Sequence, residues 1–179
     1  MDEGASQIVE FALSLPLLVL FVVGIFDFSS AISLKQKLTN AAREGARVAA
    51  SDPANDIATA SVPASVADAF WVVDNYLLSE NIGDCTLNSS LPTKTAGTLT
   101  WVSTATGAPC GPTSGLILKI NRGYITPVTI NGATVNVVGT QVSLQYPYTW
   151  QFGGVSGLFG GRFIGPTSII TTATTYNEN

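Results

Sequence analysis

The pattern of apolar and polar positions changes character three times along the chain. From Phe11 to Phe26 there is no charge, and the flanking charges are Glu10 and Asp27. This uncharged run is sixteen residues long, slightly short of the about 20 that a free membrane span takes. Ala5 to Leu34 holds only those two charges, and a helix of that length reaches about 45 Å at 1.5 Å per residue. Such a helix crosses a bilayer if Glu10 and Asp27 lie near opposite interfaces. Pro16 is expected to bend it or loosen one turn, which lipid or a helix bundle tolerates. Asp27 then marks the outer interface, where its charge stays wet.

Helical periodicity continues at a different width. Leu34, Leu38, Ala41, Gly45 and Val48 recur at three- and four-residue spacing, which is one face of a helix. That face is built of small residues, with Ala42, Ala46, Ala49 and Ala50 beside it. Small side chains let a second helix or a sheet approach closely. Arg43 and Arg47 stand one turn apart around Glu44 and read as a solvated face with a weak local pair. Ser51-Asp52-Pro53 ends the segment. Asp56 to Gly83 reads as a second helical region broken at Pro63. In it Val66, Ala69, Phe70, Val73, Tyr76 and Leu77 form an apolar stripe, and Asp68, Asp74 and Glu80 fall elsewhere around it.

Beyond Cys85 the period becomes two. Thr98 to Thr104 is β-prone, Leu116, Leu118 and Ile120 alternate with Ile117, Lys119 and Asn121, and Tyr124 to Ile130 leads through Asn131-Gly132 into Ala133 to Val138. Asn-Gly between two such runs predicts a hairpin, and Pro127 in its first arm suggests an edge strand. From Val142 to Phe152 the alternation is strict. The apolar phase is odd at Val135 and Val137 and even from Val142 on, so a bulge or bend is expected at Val138-Gly139. Gly153 to Gly161 is a glycine-rich loop whose Leu158 and Phe159 are expected to fold back on the core; dipping into a membrane surface or a partner is the alternative. Ile169 to Tyr176 supplies a last strand. The fold class is therefore α+β: a long N-terminal helix, a second helix and an antiparallel β-sheet. The division expected is 1–50 for the N-terminal helix and its extension, and 51–179 for an α+β domain.

Composition narrows the function. Charged residues are 11% of the 179, against roughly 25% in ordinary soluble domains. Net charge is −4, and eleven of the twelve acids lie at or before Asp84. No basic stripe interleaved with aromatics runs along the chain, which argues against nucleic acid as a partner. The N-terminal residues Met1-Asp2-Glu3-Gly4 are acidic and no small-residue cleavage site follows the apolar run, which fits a cleaved secretory signal poorly. Histidine is absent, so a serine triad is excluded. The acids on the second helical region do not share one face, and no glycine-punctuated calcium loop follows them, so no metal set is expected. No cofactor or small-molecule substrate is implied, and the chain does not read as an enzyme. Cys85 and Cys110 have neither a second Cys nor a His near them to make a metal set. A disulfide between them is expected if the region lies outside the cytosol, where it contributes about 3 kcal/mol; two unrelated thiols are the alternative.

The stretches "GASQIVEFALSLPLLVLFVVGIFDF" and "LTNAAREGARVAA" resemble the N-terminal module of the TadE-like family, pseudopilin-like proteins of the tight adherence (Tad) pilus machinery. The pair Glu10-Phe11, the Leu15-Pro16 step, Gly24 with Asp27, and the run Asn40 to Arg47 fall in the family's order. The resemblance covers about the first fifty residues. It implies a single-pass protein of the bacterial inner membrane with its C-terminal domain outside the cytoplasm, and other pilin-like or Tad machinery proteins as partners. It also implies removal of a short leader by a prepilin peptidase, which leaves a glutamate fifth in the mature chain. Cutting after Gly4 leaves Glu10 sixth and cutting after Ala5 leaves it fifth; the basic residues usual before such a site are missing. In pilin-like assemblies a glutamate in this segment pairs with the freed α-amine, so Glu10 is expected to set assembly register. A hydrated Glu10 in the head-group zone is the plainer alternative. For the whole chain, the leading expectation is a minor-pilin-like component of a Tad-type pilus or secretion system. A stand-alone anchored binding or adhesion domain is the alternative.

Overall fold

The structure, a computed structural model, describes residues 3–53, 55–58, 61–110, 115–130, 132–150 and 166–178. The fold is α+β. A long apolar helix, α1 (Glu3–Ser51), is followed by a second helix, α2 (Ala64–Ser79), and a five-stranded antiparallel sheet. The chain divides into two compact units. One comprises Met1–Leu34 with Tyr148–Thr167, the other Lys35–Pro147 with Ser168–Asn179. Helix α1 supplies residues to both.

In the second unit, α2 starts where Pro63 requires. Proline cannot sit inside a helix without losing a backbone bond, and it takes the capping position with extended dihedrals (φ −62°, ψ 152°). The orphan N–H of Ala64 is satisfied by Asp56 Oδ2 at 2.8 Å. The buried face of α2 carries Val66, Ala69, Phe70, Val73 and Leu77. Asp74, expected off that face, is on it and 2% exposed. It lies four residues after Phe70, and that spacing returns to the same side of a helix.

The strands are β1 (Thr93–Lys94), β2 (Thr100–Ala105), β3 (Leu116–Ile130), β4 (Ala133–Pro147) and β5 (Ser168–Tyr176). They lie in sequence order, a meander with every pair antiparallel. Leu116, Leu118 and Ile120 of β3 and Val142 and Leu144 of β4 face the core, as the period-two pattern predicts. The β3–β4 hairpin closes at Gly132, whose φ of +81° suits glycine; Asn131 lies outside the described residues. Both strands are 15 residues long and outrun their neighbours. Of β3 only Leu116 to Asn121 pair with β2, and of β4 only Gly139 to Pro147 pair with β5. Beyond the bulge the hairpin is thus a two-stranded ribbon. Pro127 is not on an edge strand of the sheet, since β3 lies between β2 and β4. It sits where β3 has β4 on one side and no described strand on the other, so its missing N–H breaks no ladder.

The expected bulge at Val138-Gly139 is on the other strand. The register shifts between Asn121 and Tyr124, where Arg122 and Gly123 oppose Thr140 alone. β4 itself keeps one phase throughout. The odd-numbered Val135 and Val137 therefore point to the face opposite Val142. The phase change in the sequence records apolar residues on the outer face of the ribbon, not a slip in β4. β4 also stops at Pro147. Tyr148 and Trp150 leave the strand and belong to the first unit. The expected strand positions Gln151 and Phe152, and the loop with Leu158 and Phe159, lie outside the described residues.

Cys85 and Cys110 form a disulfide that closes the β1–β2 region into one loop, with Cα atoms 5.4 Å apart. The long turn before α2 is tied to that region by two side chains. Trp101 Nε1 donates to Ser61 O at 2.8 Å, and Lys94 Nζ donates to Ile57 O at 3.1 Å.

Candidate functional site

The most apolar 18-residue window of α1 has mean hydropathy 2.5, and none of it is buried. Ile8, Phe11, Leu13, Phe21, Ile25 and Phe26 are each more than 60% exposed. A helix apolar all round cannot stay in water alone; it belongs in lipid or inside a bundle. Pro16 lies within the helix, and its missing N–H leaves the carbonyl one turn before it without a helical donor. Glu10 is exposed, and its backbone carbonyl accepts a hydrogen bond from the Ser14 hydroxyl at 2.8 Å. Gly4 and Ala5 lie in the first turns of α1. Gly24 opens a shallow apolar groove with Leu20, Phe21, Ile25, Phe28 and Ile32.

Asp27 is not wet. It is 4% exposed. The Tyr148 hydroxyl donates to Asp27 Oδ1 at 3.0 Å and to its backbone carbonyl at 3.1 Å. Burial, and then the carboxylate it faces, pushes the Tyr148 hydroxyl up to about 12, so it stays a donor. Trp150 packs edge-on against Phe28 at 5.3 Å and against Tyr148 at 5.0 Å. Its indole N–H donates to Pro166 O at 2.6 Å, and Tyr148 N donates to Thr167 O at 3.0 Å. Residues more than a hundred positions apart thus form one cluster at Asp27.

In the second unit, the small-residue face of α1 is the buried one. Leu38, Ala41, Ala42, Ala46 and Ala49 are fully buried. Gly45 is the point of closest approach. A Cβ there would stand 2.6 Å from Val73 Cγ2 of α2 and 3.8 Å from Val142 Cγ1 of β4. Arg43 and Arg47 are exposed, and Arg47 pairs with Glu44 at 2.9 Å. Lys37, six residues before Arg43, reaches Glu80 at the end of α2, 3.2 Å away.

Arg122 has no counterpart in the sequence-based expectations. It is 2% exposed at the bulge of β3. Its Nη1 donates to Ala49 O and to Thr140 Oγ1 (3.0 Å), and its Nη2 donates to Asp52 O (3.1 Å). Thr140 Oγ1 donates in turn to Asn177 Oδ1 at 2.6 Å. The guanidinium therefore satisfies carbonyls that the end of α1 leaves open and meets the negative end of its dipole. Burial lowers the Arg122 pKa, and Asp52 and Asp56 oppose that shift. A signal was present in the sequence: Arg122 continues the even-numbered series Leu116, Leu118, Ile120 into the core face.

Among the described residues no group of three or more His, Cys, Asp or Glu is placed to hold a metal. Asp74 faces Asp84; burial first, and that neighbour second, raise its pKa. The arrangement suits holding a helix in place and presenting its apolar part. The family model described as TadE-like protein matches residues 5–47. No curated protein and no solved structure matches the chain.

Proposed function

We propose that the chain is a membrane-anchored, pilin-like component of a Tad-type pilus or secretion system that works by helix packing and protein–protein contact. One observation carries this reading. The stretch matched by the TadE-like model, 5–47, spans the part of α1 that changes from mostly exposed apolar residues to a buried small-residue face. The first part crosses the inner membrane once. The second part is the seat on which the α+β domain is built, outside the cytoplasm. The disulfide Cys85–Cys110 supports that placement, since such bonds persist in oxidising compartments.

In this reading Glu10, exposed at the start of the uncharged stretch of α1, sets the register of assembly. A carboxylate leaving water is costly unless paired, so it favours the arrangement that supplies a positive partner. An α-amine released by a prepilin peptidase at Gly4 or Ala5 is that partner. Catalysis has no part in it.

The test is intact mass and N-terminal sequence of the protein from native membranes and from sheared surface material, with co-purification of other pilus proteins. A start at Ala5 or Ser6 with the helix retained is expected. An unprocessed chain that binds no other pilus protein refutes it. The exposed Ile125, Ile130, Val135 and Val138 of the β3–β4 ribbon favour a second reading, a stand-alone anchored domain that binds a surface through the ribbon.

A further inference from the structure

The uncharged run Phe11 to Phe26 is too short for its task. At 1.5 Å per residue it covers about 24 Å, whereas a hydrocarbon core is about 30 Å thick. Extending the span by one turn carries it past Asp27. Two observations show that the helix is built for this. Apolar exposure continues beyond Asp27, with Phe28 56% and Ile32 57% exposed. Two polar side chains of that turn are also satisfied internally: Asp27 accepts the Tyr148 hydroxyl, and the Ser30 hydroxyl donates to Phe26 O at 2.9 Å. An aspartate bonded in this way enters the edge of the hydrocarbon at lower cost than a bare one.

Tyrosine and tryptophan concentrate where hydrocarbon meets head groups, because each has an apolar ring and one polar handle. Tyr148 and Trp150 stand at that turn, on Asp27 and Phe28. Both handles are occupied within the chain, by Asp27 and by Pro166 O, which leaves the rings to cover apolar surface.

We infer that Tyr148 and Trp150 dock on the outer head-group boundary of the bilayer and, with Asp27, form a collar that sets how deep α1 sits. The partner is lipid, and Tyr148 is a positioning residue that acts through Asp27. This inference rests on the membrane anchoring proposed above but not on pilus assembly.

The experiment uses the full chain in vesicles of phosphatidylethanolamine and phosphatidylglycerol doped with phosphatidylcholine brominated near the carbonyl end or near the methyl end of its chains. Tryptophan emission is read for the wild type and for Trp150→Phe. Trp101 is fully buried, which leaves Trp71 and Trp150 as the accessible reporters. Shallow bromine is expected to quench the wild type more than deep bromine, and Trp150→Phe to lose at least half of that quenching. Tyr148→Phe, which keeps the ring and loses the bond to Asp27, is expected to shift Trp150 toward quenching by aqueous iodide. Equal quenching of wild type and Trp150→Phe overturns the collar, as does a Trp150 open only to iodide. A Trp150 shielded from both quenchers assigns the patch to a protein partner and also overturns it. Vesicle retention through alkaline carbonate is measured on the same samples. Retention without Trp150 quenching sinks the collar alone; loss of retention sinks the anchor and the collar together.

Discussion

Replacing Gly45 by alanine puts two effects of opposite sign on one atom. Alanine is the better helix former, by about 1 kcal/mol in an open helix. The new methyl would stand 2.6 Å from Val73 Cγ2, against a favourable carbon–carbon separation of about 3.5–4.0 Å. About 1 Å must be found. Val73 cannot yield it cheaply: it is fully buried and β-branched, with few rotamers open to it. Moving α2 would disturb Val66, Phe70 and Leu77 in the same core. Overpacking of this kind costs about 1–3 kcal/mol. The net expectation is a loss of about 1 kcal/mol, a drop of roughly 2–4 °C in Tm for a chain of this size. The assay is denaturant unfolding in detergent followed by near-ultraviolet circular dichroism, in a cycle with Val73→Ala. The clash exists only when both the methyl and Val73 are present, so Gly45→Ala should cost less in the Val73→Ala background, by at least about 1 kcal/mol. A stabilised Gly45→Ala chain, with additive behaviour in the cycle, would show that propensity alone acts there and would refute the close-approach argument.

Arg122→Met should destabilise the second unit by about 3 kcal/mol, because Ala49 O and Asp52 O lose a buried charged donor. Arg122→Lys should recover less than half, since one ammonium cannot span both carbonyls and Thr140; equal urea midpoints for Lys and wild type would contradict this. Reduction of Cys85–Cys110 should lower unfolding free energy by about 3 kcal/mol, read as the midpoint shift with and without a phosphine reductant and absent in a Cys85→Ser/Cys110→Ser chain. The Asp74 carboxyl is raised above its ordinary 3.8 on folding. Its contribution is therefore complete below that value and is lost as pH rises through the folded one. Asp74→Asn should flatten this part of the stability–pH profile and unfold at higher denaturant at pH 7; an unchanged slope would count against the burial of the Asp74 carboxyl and, with it, its contact with Asp84.

The elements that follow from local period were legible in the chain. The apolar α1, the alanine face at Leu38 to Ala50, the stripe of α2, the alternation of β3 and β4 and the turn at Gly132 each need only neighbours within a few residues, where backbone geometry dictates which side chains share a face. The resemblance to the TadE-like family rests on the same local stretch. Tertiary structure decided what happens to the polar residues on that frame. Arg122 meets Ala49 across 73 positions, and Tyr148 meets Asp27 across 121. Spacing along a strand marks a side chain as inward; it does not say that a helix end waits there. Asp27 was expected to stay in water because a lone carboxylate must, and only the chain's return at Tyr148 brings the donor that lets it be buried. The bulge illustrates the same division. An apolar phase change was visible in β4, but the strand that yields is β3, because the extra residue goes where Arg122 has to reach the end of α1.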